Sequence, residues 1–348
     1  MVSGVLKPRF ETCALEDPGG MRAALARWFG KHGKDYPWRR TRDPYEVLVS
    51  EVMLQQTQIA TVLGKGYYTG FLRVFPDVHA LAKADDATLL KAWEGLGYYR
   101  RARMLRETAR AVIDRHDGRF PEDVDELLKL PGIGRYTAGA LRAFAFHQAA
   151  VLVDGNVSRV LSRLMDFTEP VDETQGLKRI WDWAGVLADP KNPAVHHAAL
   201  MELGQTLCRP GAPDCLECPV SRYCRTREPS GLPLKARKAA ATAVDEHALW
   251  LRDRKGHLLL HHEAGKRRTG LWKLPVRAAD EVSPLPVIAE HRYSITRYRV
   301  TLRVHDGSRA KAPVRPAEGD AWVAAEDIPA LAMAAPFRKV VERLLADF

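Results

Sequence analysis

The sequence has no apolar run of about 18 residues, the length that a membrane-spanning helix needs. Residues 1–13 carry Lys7, Pro8 and Arg9 but lack the apolar segment of a secretory signal. Internal repeats and low-complexity tracts are also absent from the sequence. With 46% hydrophobic residues the chain is too apolar to be disordered. We therefore expect a folded, cytoplasmic protein without a membrane partner.

Acidic residues are fewer than basic ones. The chain has 43 Asp and Glu against 53 Lys and Arg, which gives a net charge of +10. A basic balance of this size favours a polyanionic partner such as nucleic acid. A solvated basic surface would give the same composition, so charge alone leaves both interpretations open.

The 348 residues suggest two or three domains. Helical spacing of apolar residues predicts a mainly α region over 1–228, and a Pro- and Gly-containing basic stretch predicts a linker at 229–243. Short aliphatic segments then predict a smaller α+β domain at 244–348. The predicted helical windows are 21–29, 44–63, 86–113, 122–130, 136–146, 157–165 and 195–207, with a further helix over 329–348. The predicted strands are 246–252, 256–262, 297–305 and 320–323.

Cysteine is scarce, with five in the chain, and Cys13 stands apart from the other four. Cys208, Cys215, Cys218 and Cys224 form the pattern C-x6-C-x2-C-x5-C. Because a cytoplasmic protein rarely carries structural disulfides, this clustering predicts a metal site. The spacing favours a [4Fe–4S] cluster, with zinc as the alternative.

Residues 122–145 read as two helices joined at the turn Leu130-Pro131-Gly132-Ile133-Gly134. Gly132 and Gly134 permit a tight backbone turn, and the free N–H groups of the second helix could bind a phosphate. We expect this hairpin to bind a DNA backbone without reading its bases. A purely structural hairpin is the alternative.

Two carboxylates stand in contrasting contexts. Glu51 lies within an apolar stripe of the helix that begins after Asp43, so burial should raise its pKa as a general acid requires. Asp154 precedes a helix, where its charged form should be stabilised. Such a pair suits an acid with an anionic partner. Alternatively, Asp154 is only an N-cap, Glu51 a partly exposed flanking residue and Asn156 a turn residue.

Several strings together resemble the helix–hairpin–helix glycosylase superfamily, and within it the adenine DNA glycosylases of the MutY type. They are P-W-R at 37–39, D-P-Y at 43–45, S-E-V-M-L-Q-Q-T at 50–57, W-E-G-L-G-Y-Y at 93–99, L-P-G-I-G-R-Y-T-A-G at 130–139 and V-D-G-N-V-x-R-V at 153–160. The resemblance implies a six-helix barrel over 43–152, an iron–sulfur domain from 1–42 with 153–228, and one [4Fe–4S] cluster on the four cysteines.

The same resemblance implies roles for single residues. Glu51 would protonate a flipped adenine, Asp154 would stabilise the sugar cation, and Asn156 and Tyr136 would orient Asp154, the sugar or the water. Residues implied at the adenine pocket are Trp38, Arg39 and Glu202. Residues implied to contact the duplex where the base leaves are Gln56, Thr57 and Tyr98. The related strand-cleaving enzymes carry a lysine at the position of Tyr136, so this chain should leave the abasic site uncut.

The C-terminal region resembles a Nudix-like domain through Gly-Leu-Trp-Lys-Leu-Pro at 270–275. It lacks the acidic pattern that binds Mg²⁺ in the hydrolases, so no hydrolase activity is expected. In adenine DNA glycosylases this domain recognises 8-oxoguanine through an aromatic–Ser–His loop. The matching residues here are Tyr293 and Ser294, and Ile295 stands where histidine is expected.

The function that follows is removal of adenine mispaired with 8-oxoguanine or guanine from double-stranded DNA, by a monomeric enzyme acting at the bacterial nucleoid. Two alternatives remain open. One is a mismatch thymine glycosylase of the same fold, and the other is a non-catalytic iron–sulfur DNA-binding protein.

Overall fold

The structure, a computed structural model, describes residues 15–236, 240–265, 268–310 and 315–347. Cys13 and part of the predicted linker lie outside the described residues. The α-helices of the described chain are, in order, α1 (Pro18–His32), α2 (Pro44–Leu54), α3 (Ile59–Gly64), α4 (Tyr67–Val74), α5 (Val78–Ala82), α6 (Asp86–Ala92), α7 (Arg100–His116), α8 (Val124–Leu128), α9 (Arg135–Ala140), α10 (Gly155–Leu164), α11 (Thr174–Leu187), α12 (Pro193–Thr206), α13 (Ala279–Val282) and α14 (Ala335–Asp347).

The strands follow the last of the N-terminal helices. They are β1 (Thr242–Trp250), β2 (Leu258–His262), β3 (Trp272–Lys273), β4 (Val276–Arg277), β5 (Val287–Ile295), β6 (Tyr298–Asp306) and β7 (Asp320–Val323). The prediction of a mainly helical region followed by a smaller α+β region is therefore confirmed. No helix in the described ranges combines the length and apolarity needed to cross a bilayer.

The chain divides into two compact units, each built from two stretches of sequence. The first unit takes its described residues from Met1–Val52 and Ala111–Arg237. The second takes them from Met53–Arg110 and Lys238–Phe348. The functional boundaries predicted from the sequence, at 228 and 244, stay a prediction.

The core of the first unit lies where α1, α10, α11 and α12 pack. Buried side chains of these helices include Met21, Leu25, Leu161, Ile180 and Leu200. Asp154 caps α10 by accepting a hydrogen bond from the amide of Val157 at 2.7 Å, which satisfies one of the free N–H groups of that helix.

The second unit contains two sheets in its described part. In the larger sheet, of order β4-β1-β6-β5, strands β1 and β6 are parallel from Thr242↔Tyr298 to Trp250↔Asp306, and the outer pairs are antiparallel. The smaller sheet, β3-β2-β7, is antiparallel throughout. Helix α14 contributes Phe337 and Val341 to the core, and Leu90 of α6 is buried in the same cluster.

Several details of the sequence prediction are wrong, and strands β3, β4 and β5 lie outside the predicted strands. The helical windows 44–63 and 86–113 are each interrupted, between α2 and α3 and between α6 and α7. Both interruptions contain a non-glycine residue with left-handed backbone, Gln56 at φ 59° and Tyr98 at φ 46°, which an α-helix cannot accommodate. Helices α4, α5, α11 and α13 lie outside the predicted windows. Tyr293, Ser294 and Ile295, which the resemblance places in a recognition loop, lie on β5 and pair with β6.

Candidate active site and cysteine cluster

The centre of the candidate site in the first unit is Glu51, on α2. Its side chain is buried, with the residue 7% exposed. The hydroxyl of Tyr136, on α9, donates a hydrogen bond to Glu51 Oε2 at 2.7 Å. Burial raises the pKa of Glu51 to about 7, the negative charge of Asp154 adds to the rise, and the Tyr136 hydrogen bond opposes it. A carboxyl with a pKa in this range retains protonated molecules near neutral pH, which general-acid chemistry requires.

Asp154 caps α10, and its negative charge also acts on Glu51. Its role as an anionic partner in the reaction stays a prediction. The amide nitrogen of Asn156 donates to Asp154 Oδ2 at 3.0 Å. The expectation that the surroundings favour charged Asp154 is only partly right. Burial raises the pKa of Asp154, and its hydrogen bonds to Val157 and Asn156 act in the opposite direction without cancelling the rise.

The sequence predicts that Tyr136 helps to orient Asp154, the sugar or the water, and the structure shows a contact with Glu51 that the sequence did not predict. Its hydroxyl donates to Glu51 Oε2 and lies 3.9 Å from the sulfur of Met201, so its direct partner is the carboxyl of Glu51. Burial raises the pKa of Tyr136 well above its usual range, which keeps the hydroxyl protonated as a donor.

A second carboxylate in this unit is fully buried. Glu202 on α12 is 0% exposed, and its Oε2 accepts from Arg39 Nη2 at 2.9 Å. Its Oε1 has no hydrogen-bond partner among the described residues. An unsatisfied buried carboxylate oxygen costs free energy, so this atom is poised to accept from a ligand. Trp38 is also buried and stacks on Tyr36 with ring centroids 5.2 Å apart.

The hairpin predicted between two helices is present. Gly132 has φ 77°, a conformation that favours glycine, between α8 and α9. Gly134 is the N-cap of α9 and provides no side-chain cap, so the first N–H groups of that helix are left for another acceptor. Helix α9 continues without a break into a π-helical turn at Leu141–Ala145.

The four clustered cysteines lie in the loop that follows α12. Cys208, Cys218 and Cys224 are half-buried and pack against the core of the first unit, whereas Cys215 is exposed. Burial raises the pKa of Cys218 to about 11, and the charges of the other three cysteines act in the same direction. Four thiols that affect one another electrostatically need a shared cation to become thiolates together.

Arg163 stands beside these thiols. It is 1% exposed and donates from Nη1 to the carbonyl of Arg209 at 2.8 Å and to the sulfur of Cys208 at 3.4 Å. The donor set fits an iron–sulfur cluster, which carries thiolate charge that a fixed guanidinium would balance. No three His, Cys, Asp or Glu side chains in the described chain are arranged to hold a single metal ion.

Arg159 connects Asn156 to the loop of clustered cysteines, and sequence analysis did not single it out. It is 9% exposed, and it donates from Nη2 to Asn156 Oδ1 at 2.8 Å and from Nε to the carbonyl of Cys208 at 2.8 Å. Since the side-chain oxygen of Asn156 is taken by Arg159, its amide nitrogen is directed to Asp154. In sequence this arginine looks like any polar position of an amphipathic helix.

The remaining candidate residues belong to the second unit. Gln56 and Thr57 lie between α2 and α3, and Tyr98 lies between α6 and α7 and is 49% exposed. The left-handed backbone of Gln56 and Tyr98 costs roughly 1–3 kcal/mol each, which is common at functional positions.

Tyr293 and Ser294 lie on β5 and face opposite ways. The hydroxyl of Tyr293 donates to Glu246 Oε2 at 2.6 Å and accepts from Arg268 Nη2 at 2.6 Å, so it is used within the domain. Ser294 is exposed on the other face of the strand. Of this pair, Ser294 is therefore the residue that faces solvent.

The sequence of this chain is similar to known DNA repair proteins. Residues 49–183 match the HhH-GPD superfamily base excision DNA repair protein model. The chain is 44% identical to human adenine DNA glycosylase over 216 residues, which is 60% of this chain and 39% of that protein. It is 39% identical to adenine DNA glycosylase of Mycolicibacterium smegmatis over 211 residues, which is 60% of this chain and 70% of that protein. The chain belongs to the adenine DNA glycosylase family.

The matched part spans less than half of the human, rat and mouse members of the adenine DNA glycosylase family, at 39%, 47% and 42% of their lengths. Two solved structures share the fold. A thermostable thymine-DNA glycosylase superposes with a TM-score of 0.54 at 28% identity, over 60% of this chain and 95% of that one. Endonuclease III in a non-covalent DNA complex gives 0.50 at 27% identity, over 59% and 92%.

Proposed function

We propose that the protein removes adenine from mispairs in double-stranded DNA by hydrolysing its N-glycosidic bond. The observation that carries this proposal is the buried Glu51, whose pKa of about 7 makes it a proton donor at neutral pH. A surface carboxylate would be almost entirely ionised there. The membership of the adenine DNA glycosylase family and the basic charge support DNA as the partner.

The proposed reaction begins when protonated Glu51 gives its proton to a ring nitrogen of the flipped adenine. The bond from C1′ of the sugar to the base then breaks, and its electron pair leaves with the neutral base. Asp154 stabilises the positive charge that develops on the sugar. A water molecule adds to C1′ and its proton returns to the carboxyl of the site, leaving an abasic sugar and free adenine.

Glu51 and Glu202 also favour adenine over thymine. Adenine has ring nitrogens that can accept a proton, whereas thymine's ring nitrogens carry either hydrogen or the sugar. The Oε1 atom of Glu202, buried without a partner among the described residues, can accept from the exocyclic amine of adenine. A thymine glycosylase nevertheless stays the second candidate, because a thymine-DNA glycosylase shares the fold at a TM-score of 0.54.

We further propose that the enzyme is monofunctional, since the hydroxyl of Tyr136 cannot form the Schiff base that a lysine would form. The hairpin at Gly132 and Gly134 would bind phosphate, and Gln56, Thr57 and Tyr98 would contact the duplex at the position vacated by the base. Base flipping costs least at a mispair, where the base is already poorly held. We infer that the protein acts as a monomer in the cytoplasm, where chromosomal DNA is accessible.

For the base opposite the adenine we propose 8-oxoguanine, recognised through Ser294. This residue is exposed on β5. Ile295, in place of the expected histidine, has no hydrogen-bonding side chain, so Ser294 would carry the recognition without it. The Nudix-like nature of residues 244–348 is part of this proposal.

We propose that Cys208, Cys215, Cys218 and Cys224 hold one [4Fe–4S] cluster. Its role would be to keep the loop at 208–224 in one conformation, so that the flanking arginines face the DNA backbone. These are Arg209, Arg222, Arg225 and Arg227. Iron and sulfide analysis of the purified protein tests this. Four iron and four sulfide ions per chain would support the cluster. One zinc ion per chain and no iron would show a zinc site.

The test of the main proposal is a single-turnover assay on a duplex with adenine opposite 8-oxoguanine, read with and without alkali. Strand breaks only after alkali, lost in Glu51→Gln, would establish a monofunctional adenine glycosylase. Breaks without alkali would contradict the assignment of Tyr136. Turnover of thymine mispairs in place of adenine would favour the second candidate, and no turnover of either would favour a non-catalytic DNA-binding protein.

A further inference from the structure

Arg101, near the start of α7, connects the two interruptions of the helical windows. Its guanidinium donates from Nη1 to the carbonyl of Met53 at 3.1 Å and to the carbonyl of Gln55. It donates from Nη2 to Thr57 Oγ1 at 3.3 Å. These three contacts surround Gln56 on both sides.

The same Nη2 group also binds the second interruption. It donates to the carbonyl of Leu96 at 2.9 Å and to that of Gly97 at 3.3 Å. The guanidinium carbon lies 5.7 Å from the ring centroid of Tyr98 and 5.4 Å from that of Trp93, both within range of a cation–π contact. One side chain therefore binds the residues flanking both Gln56 and Tyr98.

We propose that Arg101 is a positioning residue for base extrusion: it holds the segments 53–57 and 96–98 in the backbone conformations that present Gln56 and Tyr98 to the duplex. This rests on the proposed glycosylase function for its consequence in catalysis. Arg101 touches neither the base nor the sugar in this role, and it acts through the two segments.

The chemistry of arginine explains why this position needs it. The planar guanidinium offers five N–H donors in a fixed arrangement, which matches several carbonyl and hydroxyl acceptors on two sides. A lysine has three donors on one nitrogen and cannot span both segments at once. Gln56 and Tyr98 both have left-handed backbone, which persists only where the surroundings hold it.

The test compares Arg101→Lys with Arg106→Lys in the full-length protein. Arg106 is a matched control, because it is a buried arginine on the same helix that donates to the carbonyl of Ala84 and pairs with Asp86. Hydrogen exchange of the amides at 55–58 and 95–98 is measured first. We expect exchange at both segments to rise about tenfold or more in Arg101→Lys and to stay unchanged there in Arg106→Lys.

The second measurement compares single-turnover rates on two duplexes. In one the adenine pairs with 8-oxoguanine, and in the other it lies opposite an abasic site and is unpaired. Because the unpaired adenine needs little extrusion, we expect Arg101→Lys to lose about tenfold or more on the first and less than about threefold on the second. Relative to wild type, Arg106→Lys should change the single-turnover rate by the same factor on both duplexes.

If Arg101→Lys proves unstable, Thr57→Val removes one contact of the guanidinium and Thr57→Ser retains it. The valine variant should then show faster exchange at 55–58 and the serine variant should not. Unchanged exchange at both segments, or an equal loss of rate on both duplexes, would overturn the proposal. If wild-type protein cleaves neither duplex, the glycosylase proposal fails, while the exchange result still decides whether Arg101 holds the segments.

Discussion

The pKa of Glu51 can be moved in a known direction by changing Tyr136. In wild type, burial brings this pKa to about 7, and the hydrogen bond from the Tyr136 hydroxyl opposes that rise. Tyr136→Phe removes the hydrogen bond and leaves the ring. The carboxylate then loses a donor, its charged form is less stable, and the pKa should rise further above 7.

The magnitude follows from the strength of that bond. A hydrogen bond to a charged group contributes about 1.5–3 kcal/mol, which corresponds to a change of about one to two in pKa. If Glu51 acts as the acid, activity falls tenfold for each pH unit above its pKa. The alkaline limb of the rate profile should thus begin near pH 7 in wild type and near pH 8 to 9, as a rough estimate, in Tyr136→Phe.

The assay is single-turnover cleavage of adenine opposite 8-oxoguanine between about pH 5 and pH 9, with the products split by alkali. Single-turnover conditions exclude product release from the measured rate. A midpoint that moves down in Tyr136→Phe, or does not move, would refute the role of this hydrogen bond. A wild-type profile without an alkaline limb near 7 would refute Glu51 as the acid.

The same pKa makes a prediction for stability that needs no substrate. The folded pKa of about 7 exceeds the ordinary 4.5, so the contribution of Glu51 is fully present below pH 4.5 and is lost as pH rises to about 7. The loss amounts to about 3 kcal/mol. Glu51→Gln cannot ionise, and its free energy of unfolding by urea should exceed that of wild type at pH 8. Equal free energies of unfolding of wild type and Glu51→Gln at pH 8 would contradict the claim that the ionised carboxylate of Glu51 is buried at a cost in stability.

Three further predictions concern other parts of the first unit. Arg39→Met leaves the buried carboxylate of Glu202 without its cation, so the free energy of unfolding measured with urea should fall by about 3–5 kcal/mol. The control Arg40→Met breaks an exposed ion pair and should change that free energy little. Asp154→Asn keeps a residue that can cap α10 but removes the charge, so cleavage should fall about 100-fold or more while duplex affinity, measured by fluorescence anisotropy, is retained; loss of folding would reduce Asp154 to a cap. Cys218→Ser should lose bound iron by elemental analysis, and iron retained at the wild-type level would remove this residue from the ligand set.

Much of the candidate site could be predicted from the sequence because its signals are local. The turn with Gly132 and Gly134 needs glycine for its backbone, and the spacing of Cys208 to Cys224 brings four thiols into one loop. The position of Glu51 within an apolar stripe favoured its burial, since helical periodicity sets which face is covered, and the structure decides against the alternative of a partly exposed residue. The division into a helical region and an α+β region followed from the same periodicities.

Other features depended on contacts between residues distant in sequence, which periodicity does not encode. The contact between Tyr136 and Glu51 was not predicted, because residues 51 and 136 meet only when α2 packs near α9. The pKa of Asp154 was expected to fall because a helix N-terminus stabilises charge, but burial has the larger effect. The extent of burial is a property of the packed core and cannot be obtained from the cap position alone.

The sequence by itself determined the family and the helical and sheet regions, because both follow from local patterns and from strings shared with relatives. It also predicts Glu51 as the acid. Only the tertiary structure decided how those residues are held. Arg159 connects Asn156 to the loop of Cys208, and Arg101 connects two segments about 40 residues apart, although both look like surface positions in sequence. A buried guanidinium takes its partners from whichever carbonyls the fold brings near it, and the order of residues along the chain does not specify them.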